Sequence, residues 1–279
     1  MTFGYLIVVA KSEEADYHKM AYSLALSIKN TQKWGYNNVA LVTDDPDDLS
    51  RFKSLWVFDE VIKYNGQKGW NGRSYMDKLS PWDHTICLDA DMLFFRDISH
   101  CVEYFIENTE LYVANDSWTY RGEKVTNDFY RKSFTKNDLP NLYSFFTFFK
   151  KDSEIVDEFF TLGRYIIENP REFSNTFLSK AKPRIMGTDE AFALSAKILD
   201  ISGQIAYPLD FPKVVHMKGM IQNWPWPADD WSDHVGFYFN TKNELKISNF
   251  KQHDLVHYVK KDIITDEIIS LQEEVLWQK

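Results

Sequence analysis

Thr85-Ile86-Cys87-Leu88-Asp89-Ala90-Asp91 is the stretch on which the reading of this chain turns. A short run suited to a buried strand, Thr85 to Leu88, ends in two carboxylates separated by one small residue. Residues i and i+2 of a strand point the same way, so Asp89 and Asp91 can converge on one cation with Ala90 between them. Met92-Leu93-Phe94-Phe95 follows at once, which tucks the two charges between apolar segments. Such charges are costly unless something binds them. Far downstream, after Val214-Val215, comes His216-Met217-Lys218-Gly219-Met220-Ile221-Gln222-Asn223-Trp224. There His216, beside the flexible Gly219, is a natural third ligand. Carboxylates suit Mg²⁺ or Mn²⁺, and an imidazole tilts the choice toward Mn²⁺. Such an ion is suited to gripping a diphosphate.

Other readings of an Asp-x-Asp fit less well. An EF-hand needs Gly at the sixth loop position and Glu at the twelfth, and neither is present. A phosphatase-type motif would use Asp89 as nucleophile, but it usually lies near the N-terminus and is followed by Thr or Val, whereas Met92 follows here. Asp45-Pro46-Asp47 matches the same pattern and reads as a solvated turn.

Composition sets the wider bounds. The 279 residues suffice for one large α/β domain or one domain with a small appendage, and 44% hydrophobic and 16% aromatic content supports a sizeable core. The N-terminal apolar run, Tyr5 to Ala10, is a strand length, too short for a signal peptide or a membrane span. A cytoplasmic protein is the expectation, and Cys87 and Cys101 stand in no metal-type spacing. A net charge of −9 disfavours polyanionic partners, though a local basic groove can override it.

The predicted elements form a parallel-rich sheet covered by helices. Strands are expected over Phe3–Ala10, Asn38–Thr43, Phe58–Tyr64, Thr85–Leu88 and Leu142–Phe149. Helices are expected over Ala15–Thr31, over Ser153–Glu168 with a stop at Asn169-Pro170, and from Thr188, a plausible cap. A hairpin from Phe237–Phe239 to Glu244–Ile247 and an amphipathic helix over Asp266–Trp277 close the chain. There are no internal repeats. The predicted division is a domain over 1–226 and an extension over 227–279 packed on it.

Lys78-Leu79-Ser80-Pro81-Trp82-Asp83-His84 and the Asp89-Ala90-Asp91 run after it resemble the central segment of glycogenin-like, GT-A-fold glycosyltransferases of family 8. The stretch from His216 to Trp224 resembles that family's late His-x-x-Gly-x-x-Lys-Pro-Trp motif, and Phe3–Thr31 resembles its nucleotide-binding start. The resemblance spans roughly residues 3–226 and implies a GT-A, Rossmann-like α/β fold with a mixed central sheet. It also implies a retaining transfer from a UDP-sugar, with Mn²⁺ or Mg²⁺ held by Asp89, Asp91 and His216. Tyr17, Lys78, Ala90, Lys218, Gly219 and Gln222 would face the donor, although Tyr17 reads equally as an ordinary helix-face aromatic. Asp189 and Glu190 fall near the family's catalytic position, or else merely favour the first turn of their helix. Two departures stand out. Gln222-Asn223 replaces Lys-Pro, with Lys218 as a substitute cation, and Tyr143-Ser144-Phe145 replaces Asn-x-Gly.

The acceptor stays open among protein, glycan, lipopolysaccharide core and small molecule. A hydroxymethylated base in DNA, as for a bacteriophage enzyme working in its host's cytoplasm, would use the basic stretch of Arg121, Lys124, Arg131, Lys132 and Lys136. Two further readings are a phosphotransferase built on Asp89 and a non-catalytic sugar-nucleotide-binding module. His18, His84, His100 and His234 are expected at the surface or in turns, and His253 and His257 are not expected to act together. The cluster from Trp224 to Trp231 is a stacking platform or packing.

Overall fold

The computed structural model describes residues 2–66, 69–125, 131–180, 182–183, 185–207, 211–218, 233–240 and 242–278. Gly219, Gln222 and the Trp224–Trp231 cluster lie outside the described residues.

The first half of the chain alternates strand and helix. β1 (Phe3–Val8) leads through α1 (Tyr17–Thr31) to β2 (Val39–Thr43), and β3 (Glu60–Lys63) follows. α1 is capped by Asp16, whose Oδ1 accepts the Lys19 N–H at 3.0 Å. The short α2 (Met76–Leu79) precedes β4 (His84–Leu88), and β5 (Met92–Phe94) begins just past the Asp pair. Then come α3 (Ser99–Asn108), β6 (Leu111–Ala114), α4 (Lys132–Asn137) and the long aromatic β7 (Tyr143–Lys150). A helical stretch follows: α5 (Glu154–Glu168), α6 (Pro170–Phe177), α7 (Thr188–Ile198) and α8 (Ser202–Ile205). The chain closes with β8 (Val214–His216), β9 (Phe237–Phe239), β10 (Leu245–Ile247), β11 (Phe250–Lys251), β12 (Leu255–His257) and α9 (Asp266–Trp277).

Six strands form the central sheet in the order β3-β2-β1-β4-β7-β6. β1 runs parallel to β2 and β4, and β2 runs parallel to β3. β7 is antiparallel to both β4 and β6, which makes the sheet mixed. The inner strands β1, β2 and β4 are apolar on both sides because both faces are covered, whereas the edge strand β3 is largely exposed. Tyr5 and Ile7 pack with Leu24 and Ile28 of α1, whereas Leu6 and Cys87 pack with Phe159 of α5 and Phe192 of α7. Burial pushes the Cys87 thiol up to about 12, so it stays an unreactive core group. Trp82, in the turn before β4, lies so close to β1 that a Cβ on Gly4 would stand 2.3 Å from its Nε1.

A second sheet, ordered β5-β12-β8, sits where the chain leaves the Asp pair. β12 is antiparallel to β5 and parallel to β8. The predicted hairpin is present, β9 pairing antiparallel with β10. α9 docks on α1 through buried polar contacts. Tyr22 Oη donates to Glu273 Oε1 and Ser23 Oγ to Gln272 Oε1, both at 2.7 Å.

The expected stop at Asn169-Pro170 is present: α5 ends at Glu168, and Pro170 takes the first position of a new helix, α6, where its missing N–H costs nothing. Local expectations are corrected at two places. Thr188 lies inside α7, with Gly187 at the cap position. His18 and His84 are buried, His18 lying 2.6 Å from Thr43 Oγ1. Among the described residues, no helix is long and apolar enough to cross a membrane.

Candidate metal centre and its two cavities

Asp89, Ala90 and Asp91 form the corner between the two sheets. β4 ends at Leu88, the Asp89 N–H donates to the Phe145 carbonyl of β7 at 3.2 Å, and β5 carries the chain away. The corner therefore lies at the C-terminal ends of the parallel strands, where open α/β sheets place their ligands. The Asp91 carbonyl accepts the Tyr258 N–H at 3.0 Å, which ties the corner to β12.

That tie brings forward a histidine the sequence did not single out. His257 Nε2 lies 3.1 Å from Asp91 Oδ1 and 3.6 Å from Asp89 Oδ2. Asp89, Asp91 and His257 each offer one ligand atom, all within 4.8 Å of one another, and they are the only such group among the described residues. His257 Nδ1 has no hydrogen-bond partner. Two carboxylates and an imidazole are a donor set that fits Mn²⁺ or a similar divalent ion.

His216, expected as the third ligand, is displaced by one strand. It is the register partner of His257 in the parallel β8–β12 pair. Paired residues of adjacent strands face the same way about 4.8 Å apart, and the two rings stack with centroids 4.8 Å apart. Phe145 packs against both. Burial, and then the neighbouring His257, push the His216 pKa well below its usual value, so its ring is neutral at neutral pH.

Two cations already sit on the carboxylates. Arg73, in the turn before α2, contacts Asp89, and Lys261 Nζ contacts Asp91 Oδ2. Burial alone would raise the Asp91 carboxyl, but His257 and Lys261 outweigh it and hold it well below the usual carboxylate range. Lys78 is not among the groups that gather here. It is exposed, pairs with Asp157 at 2.6 Å, and lines a separate cleft at the start of α5. Arg73 is a cation that lines both cavities at the corner.

Two cavities meet at the corner and share Arg73, Asp89, Lys218 and His257. The larger, about 630 Å³, runs past the end of β1 and includes Tyr17, Ala90, Asp91 and Lys261. The smaller, about 270 Å³, holds Asp189, Glu190 and His216 between β7 and the start of α7. In it Asp189 is fully engaged. Ser144 donates to Oδ1 from its N–H at 2.8 Å and its hydroxyl at 2.6 Å, and Arg131 holds Oδ2 at 2.5 Å. Burial would raise the Asp189 carboxyl, yet Arg131 and Ser144 keep it below the usual range. Glu190 differs. It accepts one long bond from Ser133 Oγ at 3.3 Å, and burial and then the Asp189 charge raise its pKa.

Arg131 is itself buried, its guanidinium centre 3.7 Å from the Phe134 ring centroid and 4.2 Å from that of Tyr143. Arg131 is thus withdrawn from the expected basic stretch, while Lys124, half-exposed, pairs with Asp116 at 2.8 Å.

No protein-family model matches the chain, and a search of curated proteins returns no match. Solved structures do resemble it. Mouse xyloside xylosyltransferase 1 in its apo form aligns over 95% of this chain and 100% of its own, with 12% identity and a TM-score of 0.55. The glycosyltransferase GlyE of Streptococcus pneumoniae TIGR4 aligns over 75% of this chain with 12% identity and a TM-score of 0.46, and the match spans 46% of GlyE. At such identity the likeness speaks for the fold, and the chain has the mixed-sheet α/β architecture of the GT-A type found in solved glycosyltransferases.

Proposed function

We propose that this chain is a metal-dependent glycosyltransferase that moves a sugar from a UDP-sugar to an acceptor hydroxyl with retention of configuration. The observation that carries this reading is the placement of Asp89, Asp91 and His257 at the junction of two cavities. A donor's nucleotide fits the larger cavity and its sugar the smaller, which puts the scissile bond at the junction.

Asp89, Asp91 and His257 would hold the ion. Bound there, Mn²⁺ or Mg²⁺ would offset the charge that develops on the departing diphosphate. Tyr17 offers a ring for the base, while Arg73 and Lys218 supply positive charge on the phosphate side. Glu190 would face the anomeric carbon, a role its neighbour Asp189 is less free to take because both its oxygens are committed. Asp189 acts through Arg131 and Ser144 to fix the start of α7 and so the position of Glu190. The acceptor oxygen bonds to the anomeric carbon as the bond to the diphosphate oxygen breaks and leaves its electron pair there. The acceptor proton passes to that diphosphate on the same face.

The likeness to a xyloside xylosyltransferase makes sugar hydroxyls the first acceptors to test. Modified DNA is disfavoured by the net charge of −9 and by the inward turn of Arg131.

Calorimetry of UDP with and without Mn²⁺, on wild type and Asp91→Ala, tests the proposal. Metal-dependent binding that is lost in the variant is expected, followed by UDP release from one UDP-sugar and its loss in Glu190→Gln. UDP binding that ignores both the metal and the substitution would refute the donor site.

A further inference from the structure

Lys261 has two partners. Its Nζ rests on Asp91 Oδ2 and lies 5.2 Å from the centroid of the Tyr17 ring. Both are groups that the proposed function gives to the donor, Asp91 to its cation and Tyr17 to its base. Lys261 also lines the larger cavity, and its side chain is 36% exposed.

We propose that Lys261 is a diphosphate-binding cation of this chain, held on the Asp91 carboxylate until a nucleoside diphosphate and its divalent cation enter together; this rests on the function proposed above. The Asp91 side chain is 8% exposed, so little water screens the charges around it. An ammonium and a divalent cation on one such carboxylate repel, which favours release of the ammonium when the ion arrives. A base stacked on Tyr17 competes for the ring face that Lys261 now covers. Displaced from both partners, the ammonium remains in a cavity whose proposed occupant carries two phosphates. Lys261 therefore opposes the metal when it arrives alone and favours the metal and nucleotide as a pair. Linkage makes that coupling reciprocal.

A structural ion pair would not leave the same signature. Titrate Mn²⁺ alone, and UDP at saturating Mn²⁺, into wild type, Lys261→Met and Lys261→Arg, with circular dichroism to confirm folding. Lys261→Met is expected to tighten Mn²⁺ alone by about fivefold and to weaken UDP by about tenfold, within the usual range of coupling between sites. Lys261→Arg, which keeps the charge, is expected to retain UDP binding. Weakening of both ligands in Lys261→Met, or no change in either, would overturn the proposal. So would UDP binding in Lys261→Arg that falls as far as in Lys261→Met. Wild type that binds neither Mn²⁺ nor UDP would instead refute the glycosyltransferase reading beneath it.

Discussion

His257→Ala is expected to remove Mn²⁺ binding, and His216→Ala only to weaken it. Adjacent donors on a small divalent ion at roughly 2.1 Å lie about 3 Å apart. His257 Nε2 stands 3.1 and 3.6 Å from the two carboxylates, so it can ligate after a sub-ångström adjustment. His216 sits behind it, ring against ring. Outer-shell groups that hydrogen-bond a metal ligand typically matter by about 10–100-fold in affinity, and His216, which only stacks on His257, belongs at the low end. His216→Ala is placed at about tenfold, and His257→Ala, which removes a ligand outright, beyond about 100-fold, or about 2.7 kcal/mol. Mn²⁺ titration followed by electron paramagnetic resonance measures both, and melting curves without metal check that each variant folds. Mn²⁺ affinity that survives His257→Ala and collapses in His216→Ala would refute this assignment and restore the ligand set expected from the motif.

Gly4→Ala forces a methyl group against the Trp82 indole within a central strand, and overpacking of this kind costs about 1–3 kcal/mol. A lowered melting temperature, partly restored by adding Trp82→Ala, is expected. Arg131→Met strands the partly buried Asp189 carboxylate and should cost about 3 kcal/mol at neutral pH. The folded pKa of Asp189 is depressed, so the pair's contribution is present above the unfolded value of about 4 and fades as pH falls through the folded one. Urea midpoints from neutral to acid pH should therefore converge for wild type and variant. Glu190 has the opposite sign. Its folded pKa is raised, so stability falls as pH rises from the unfolded value of about 4.3, and the full cost is present above the folded one. Glu190→Gln should melt higher than wild type at neutral pH and equally in acid, while UDP release from the donor is lost.

The central sheet was legible because a strand buried on both faces leaves a continuous apolar run, as in β1, β2 and β7. Asp89 and Asp91 were legible for the converse reason, as charges placed where apolar residues were due. The second sheet was not, since strands as short as Met92–Phe94 and Val214–His216 carry no readable period. Which histidine reaches the carboxylates was hidden more deeply. His216 and His257 occupy matched positions of neighbouring strands, and only the order β5-β12-β8 places His257 in between. Arg73 and Lys78 pose a similar problem, because two cations five positions apart can face opposite ways in a tight turn. Asp45-Pro46-Asp47, read as a solvated turn, begins a short 3₁₀ segment whose first carboxylate pairs with Lys11.

The insertion of β12 between β5 and β8 bears on how the chain acquires its site. Asp91 and His257 are separated by 166 positions, and closing a loop of that length costs about 4–5 kcal/mol in chain entropy. The corner at Asp89 and Asp91 can fold with β4 during synthesis, but it stays open until the segment carrying His257 emerges and threads into place. Once in place, β12 is paired on both sides and Leu255 and Val256 are fully buried, so opening it breaks two ladders at once. An ion bridging the corner to β12 should therefore add to the hydrogen-exchange protection of the amides of residues 255–258.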